Sequence, residues 1–353
     1  MTNYLDYFAE VHEGQINQPN LDKYNRLKYS DLNRKKELNR HPDWVTSIKP
    51  DINNAQLKSG IFEPSELSKK ISEYLPFSFA IYAKFSLTAP YYSADDDHYY
   101  IIDNPVLKDK VFKVPMFRGS GWKGVVASAV REVMKGKMDC FFDNLMCFAR
   151  LFGAGSEEFR NIVRDIIEEH RKADNREFQN HLRLFALKSL GMKLNLRDTG
   201  LDNKILGKIY DKNLKVQRGR LIFYPTYFDK LGLEMINPHK RRTKAGTNPV
   251  YYEVVPKGAV GTFQLLYIPA DGILKSQSDL QKEVQDDLDL LSDGLKRIFR
   301  EQAKDGQIKI GAKTKLGWGK VSADHLDFIK RKEDSLELHD LNFLKEFSEV
   351  QNG

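Results

Sequence analysis

The clearest alternation in the chain is FSFAIYAKFSLTA, residues 77–89, where Phe77, Phe79, Ile81, Ala83, Phe85 and Leu87 fall on one side. A period of two in a run this apolar predicts a strand with one face against a core. The spacing turns helical at 121–135, where Trp122, Val125, Val126, Ala129, Val130 and Val133 share a face opened by Ser120 and Gly121. A short helix is expected over 139–152, closed by Gly153. A long amphipathic helix is expected over 279–302, with Val284, Leu288, Leu291, Leu295, Ile298 and Phe299 on its apolar side. GRLIFYPTYF (219–228) and GTFQLLYIP (261–269) read as strands, and a closing strand follows the glycines of 311–319.

The flanks are different. Residues 1–79 are polar and irregular: DLNRKKELNRHPDW offers a charged helix that stops before Pro42, and FEPSELSKKISEYL (62–75) starts a helix at Pro64 and Ser65. This region reads as an appendage. Residues from 157 to about 200 are charged and helical, as in EEFRNIVRDIIEEHRK, and read as an insertion between core elements. Strands alternating with helices, the last helix feeding a glycine loop and a strand, predict an α+β sandwich of the ferredoxin-like kind. The RNA recognition motif shares that fold, and its sheet face carries stacked bases.

Composition narrows the class. A chain of 353 residues with 41% hydrophobic and 30% charged residues can bury a sizeable core. No apolar run approaches a membrane span, and MTNYLDYFAEVHEGQ lacks the apolar stretch of a signal peptide, so a cytoplasmic protein is expected. Cys140 and Cys147, seven apart, suit free thiols on one helix face and form neither a zinc site nor a disulfide framework.

Net charge is only +7, but four windows, 104–137, 204–220, 234–258 and 309–320, together carry +18, so the remainder of the chain carries −11. Positive charge gathers where glycine and proline mark loops, which suits a polyanion's phosphate backbone, although any single run is equally readable as a solvated helix face.

Several stretches could carry chemistry. Asp103 lies in YIIDNPV, where Pro105 holds Asn104 extended. Spacing alone favours turn-capping; the functional reading is a carboxylate that holds a divalent cation or orients a 2′-hydroxyl, since an aspartate of pKa near ~3.9 is a poor general base at neutral pH. Asp95, Asp96 and Asp97 are consecutive and converge poorly on one ion, and His98 beside them is a weak general-acid candidate. RGSGWKG (118–124) offers backbone amides at a helix start to an anion but lacks the order of a nucleotide-binding P-loop. NPHKRRTKAGTNP (237–249) reads either as an exposed basic arm of a long hairpin or as a surface loop. In GAKTKLGWG (311–319), Lys313 and Lys315 can reach phosphate, and Trp318 is as suited to the core as to stacking on a base.

These motifs, in this order, resemble the RAMP superfamily of CRISPR effector proteins, particularly the backbone subunits of type III complexes. IIDNPVLKD followed by PMFRGSGWKG is similar to the family's aspartate–proline turn and glycine–serine helix start. RLFG at 150–153, RGRLIFYPTYF, YEVVPKGAVGTFQLLY and GAKTKLGWGKV are similar to later motifs of the family. The likeness covers about residues 80–325, with the insertion near 157–217, a thumb at about 230–257, an N-terminal appendage at 1–79 and a C-terminal tail at 326–353. The resemblance implies an RNA-recognition-like palm that binds CRISPR guide RNA, a basic thumb hairpin that wedges into the guide–target duplex, and other effector subunits as partners. Asp103 matches the family's catalytic aspartate, which implies target-RNA cleavage assisted by a divalent cation, Mg or Mn, with a 2′,3′-cyclic phosphate left behind. The RNA-contacting set implied comprises Lys108, Arg118, Ser120, Lys123, Lys240, Arg241, Arg242, Lys244, Lys313, Lys315 and Trp318. Arg118, Gly121 and Ala127 depart from the family's usual proline, serine and arginine. A non-catalytic structural subunit is the alternative, and a metal-independent guide-processing endoribonuclease using His98 or His239 is a third reading.

Overall fold

The structure, a computed structural model, describes residues 45–47, 52–95, 104–112, 114–135, 141–154, 217–236, 250–299 and 307–336. The first elements in chain order are β1 (Val45–Ser47), α1 (Ile52–Lys58), α2 (Pro64–Ser72), β2 (Phe79–Leu87), β3 (Met116–Phe117), α3 (Gly119–Lys135) and α4 (Phe141–Phe152). Short strands follow: β4 (Gly153–Ala154), β5 (Gln217–Arg218), β6 (Leu221–Phe223) and β7 (Thr226–Tyr227). Then come β8 (Lys230–Ile236), β9 (Val250–Val254), β10 (Val260–Tyr267), α5 (Gln277–Phe299), β11 (Val321–Ala323) and β12 (Asp327–Lys330).

The central sheet is antiparallel and runs β11–β2–β10–β6, with β12 also on β2. Strand β10 pairs with β2 from Val260↔Ser86 to Tyr267↔Phe79. On the other edge, Ala323 faces Phe85 and Asp327 faces Tyr82, so residues 324–326 stand opposite only 83–84 and the edge carries one extra residue, as in a bulge. Helices α3 and α4 connect β2 towards β6, and α5 connects β10 to β11.

Both faces of β2 are covered. The alternating set Phe79, Ile81, Ala83, Phe85 and Leu87 faces α3, α4 and α5 in the main core. Trp122 of α3 is fully buried between Phe85, Phe117 and Phe263, and its indole N–H donates to Thr226 Oγ1 at 2.8 Å. The satisfied N–H is what lets so large a polar-tipped ring sit in the core. Helices α3 and α5 meet at Gly294, where a Cβ would stand 2.6 Å from Val130 Cγ2.

The opposite face, Ala80, Tyr82, Leu266 and Ile329, is covered by Leu67 and Ile71 of α2. One expectation is corrected here. The segment from residue 52 is part of the fold rather than an appendage, because the second sheet face needs its apolar side chains; Ala55 and Ile61 join Val114 and Tyr227 in a further cluster. And this part of the sheet face cannot stack bases, because α2 already occupies it.

At the other end, β12 extends the sheet, Asp334 Oδ2 accepts the Phe77 N–H at 2.8 Å and Leu336 is buried, so the fold continues past the tail boundary expected at 325. The run 219–228 forms two short strands, not one, with Pro225 between them unable to donate to a ladder. Helix α5 starts at Gln277, preceded by Ser276, whose Oγ accepts the Asp279 N–H at 3.2 Å. The helical insertion, the charged helix before Pro42 and Cys140 lie outside the described residues; Cys147 is a buried free thiol that burial pushes up in pKa.

Part of the charge pattern is internal. Arg220, 3% exposed, bonds Asp271 at 2.6 Å, Glu283 at 3.0 Å, Asp287 at 3.2 Å and the Tyr267 hydroxyl at 2.8 Å. Asp287, fully buried, also pairs with Arg150 at 2.7 Å. Burial pushes the Asp271 carboxyl up, but the Arg220 hydrogen bond and charge outweigh it and leave its pKa lowered. Arg220 therefore ties β6 to α5 and contributes nothing to an anion-binding surface.

Candidate nucleic-acid interface

The tyrosine doublet Tyr91–Tyr92, just after β2, is where three of the basic segments meet. Tyr91 exchanges backbone hydrogen bonds with Val255 at 2.8 and 2.9 Å, which joins it to the end of β9. Its hydroxyl donates to Met116 O at 3.1 Å and its ring stands edge-on to Phe117, 5.7 Å away, immediately before Arg118 and α3. Burial pushes the Tyr91 phenol up, opposed by a hydrogen bond to Ser93 and by the charge of Arg118, so the hydroxyl stays protonated and able to donate.

The glycine-rich loop docks on the same doublet. Ala312 N–H donates to Tyr92 O at 2.7 Å, Gly319 N–H donates to Pro90 O at 2.7 Å, and Ile310 N–H donates to Gly319 O at 2.8 Å, closing the loop on itself. Gly311, at φ +77°, lies against the Tyr91 ring, and Gly319, at φ +78°, lies so close to the Ile310 carbonyl that no Cβ could be accommodated. Between them a single 3₁₀ turn, Thr314–Leu316, starts after Lys313 in left-handed geometry at φ 60°. The loop is a rigid, pinned platform with exposed Lys313, Lys315 and Lys320.

Trp318 takes the supporting role. It is partly buried, edge-on to Tyr92 at 6.4 Å and to Tyr252 at 5.8 Å, and packs against the core. Lys313 Nζ lies 5.2 Å above the Tyr252 ring, within reach of a cation–π contact.

The start of α3 presents Arg118, Ser120, Lys123 and Gly124 to solvent. Its glycines differ in kind. Gly119 abuts the Phe223 carbonyl and Gly121 the Phe117 ring, so packing explains both, whereas a Cβ on Gly124 would meet nothing within 4 Å. A glycine inside a helix costs about 1 kcal/mol against alanine, and nothing within the described residues calls for this one.

Lys108, placed in the RNA-contacting set by resemblance, is instead internal. It is 6% exposed and its Nζ lies 2.5 Å from Glu253 Oε2, so its charge is neutralised inside the protein. Glu253 was not legible as a partner; the one available signal was an acid inside the aromatic and apolar strand VYYEV. The tyrosine doublet was likewise missed. The expected hairpin is formed by β8 and β9, from Gly232↔Val254 to Ile236↔Val250, with β1 on the outer edge of β8. His239, Lys240, Arg241, Arg242 and Lys244, which lie between its two strands in sequence, are outside the described residues, as are Asp103, Asp96, Asp97 and His98.

Among the described residues no three His, Cys, Asp or Glu side chains are arranged to hold a metal ion. Two described carboxylates bonded to the 104–108 segment are engaged: Asp95 accepts the Lys108 N–H at 3.2 Å, and Glu253 accepts from Val106 and Lys108. The described residues thus form no protein cage for the divalent cation implied by resemblance. No helix among them is long and apolar enough to cross a membrane.

The architecture is that of an α+β protein: an antiparallel sheet packed between helices, with a long hairpin and a pinned glycine loop beside it. Sequence comparison gives the family. The RAMP superfamily matches residues 100–322, well over half of the chain, and the chain belongs to that superfamily. No curated protein matches it. Among solved structures, a chain described as "Cryo-EM structure of the Type III-B Cmr-beta bound to cognate target RNA" is similar at a TM-score of 0.40 and 14% identity, over 92% of this chain and 88% of that one. At that score the likeness is one of outline, and no residue assignment rests on it.

Proposed function

We propose that this protein is a guide-RNA-binding subunit of a type III CRISPR effector complex that cleaves target RNA at Asp103. The observation that carries the reading is the RAMP match over 100–322, which spans the Asp103 turn, the α3 start, the hairpin and the glycine loop. The sheet order supports a ferredoxin-like palm: taken as first to fourth in the chain, β2, β6, β10 and β11 lie fourth–first–third–second. The hairpin β8–β9 is the thumb. Guide backbone runs over Arg118, Ser120, Lys123, Lys313 and Lys315, which are exposed, with Gly124 giving it room to approach. The residues between the two hairpin strands in sequence, Lys240, Arg241, Arg242 and Lys244, complete the set; Trp318 supports it from within.

At Asp103 the carboxylate orients a target 2′-hydroxyl for attack on the adjacent phosphorus. The 2′-oxygen loses its proton, the bond to the 5′-oxygen breaks, and the departing 5′-hydroxyl gains a proton, leaving a 2′,3′-cyclic phosphate. Asp103→Ala is expected to remove cleavage at the position facing this subunit while guide RNA and partner subunits stay bound, measured on end-labelled target RNA with the assembled complex; unchanged cleavage would refute the assignment. Dependence on Mg or Mn is read from the same assay with EDTA. A non-catalytic structural subunit is the second reading, favoured by the engagement of Asp95 and Glu253 inside the fold.

A further inference from the structure

Glu253 stands on β9 with 2% of its surface exposed, and it holds more than Lys108. Its Oε2 accepts from Lys108 Nζ at 2.5 Å and from the Val106 N–H at 3.1 Å. Its own N–H donates to Asn104 O at 3.0 Å, and the Asn104 side-chain amide donates to Tyr251 O at 2.8 Å. Four hydrogen bonds thus fasten the 104–108 segment to Tyr251 and Glu253 of one hairpin strand. One backbone bond and one buried charge pair share a single carboxylate oxygen, so the segment cannot slide along β9 without stranding a buried charge. An apolar pair of similar size would fill the space and leave the two Asn104 bonds in place, but would remove the charge pair and the Val106 bond that tie the far end of the segment to β9.

The segment starts one peptide bond after residue 103, and the strand belongs to the hairpin whose two strands flank Lys240, Arg241, Arg242 and Lys244 in sequence. We infer that the Glu253–Lys108 pair is a latch that makes the 104–108 segment and the hairpin one body, so that RNA engaged by the hairpin sets the position of the chain leading to residue 103. The inference rests on the RNA-binding reading above. Glu253 acts through Lys108 and Val106 and is a positioning residue, not a catalytic one.

Hydrogen exchange of peptides spanning 104–112, in the full-length protein with and without guide RNA, tests this. In the wild type, RNA is expected to slow exchange at Val106 and Lys108 about tenfold. In Glu253→Gln and in Lys108→Met, RNA is expected to bind with unchanged affinity and to leave exchange at 104–108 fast. Lys108→Arg, which keeps the charge, is expected to restore the protection, a rescue that a merely space-filling role would not show. The wild-type arm decides even if a variant fails to fold: RNA binding without any slowing at 104–108 overturns the latch. Equal protection in Glu253→Gln and wild type also overturns it. A protein that binds no RNA at all overturns the proposed function, and the latch with it, and the affinity readout separates that result from the others.

Discussion

Gly124 separates stability from function at a single residue. Its Cβ position is open and it sits within α3, so Gly124→Ala is expected to stabilise the fold by about 0.5–1 kcal/mol, through helix propensity and a less flexible unfolded chain. If RNA backbone passes over this position, the same change weakens RNA binding, by about tenfold or ~1.4 kcal/mol. Chemical denaturation and RNA titration on one variant check both signs, and a stabilised protein with undiminished binding would remove Gly124 from the interface. Sequence pointed to RGSGWKG as a group but could not tell its glycines apart, because Gly119 and Gly121 answer to Phe223 and Phe117, one of them about a hundred residues away. The same limit hid Glu253. A charge and its buried partner 145 positions apart leave no local trace, so Lys108 read as one more surface lysine.

At the scale of elements, the local signals were strong where one face decided the pattern. The alternation of β2 and the stripe of α3 appear in the fold with the expected side chains inward. Patterning said less about the second face of β2, where Ala80 and Tyr82 are buried by α2. A helix with apolar positions only at Leu67, Ile71 and their neighbours could cover a sheet or float as an appendage, and only the partner surface distinguishes the two. Ile71→Ala therefore discriminates: as a fully buried side chain in the sheet cover it should cost about 2–5 kcal/mol in global unfolding. A change near zero would mean that the segment before β2 is dispensable to the fold. The glycine loop was legible as a loop, while its rigidity was not, since that depends on backbone bonds to Pro90 and Tyr92 from the other end of the domain.

For the whole molecule, the distribution of charge matters more than its sum. The basic windows contain exposed lysines around the tyrosine doublet together with side chains that serve the interior, Lys108 and Arg220 among them. These two kinds should differ in salt dependence. Lys123→Ala and Lys315→Ala are each expected to lower the slope of log affinity against log salt by about 0.7 for a single-stranded guide, while Lys108→Met leaves the slope as it was. RNA titrations at several salt concentrations read this directly, and an unchanged slope for both exposed lysines would move the RNA path elsewhere. The claim on which the rest depends is that the protein carries guide RNA in its cell. Extracting and sequencing the nucleic acid from the natively purified protein and its partners is the most direct measurement. The account predicts CRISPR repeat-derived RNAs of defined length; RNA of random sequence, or none, would contradict it.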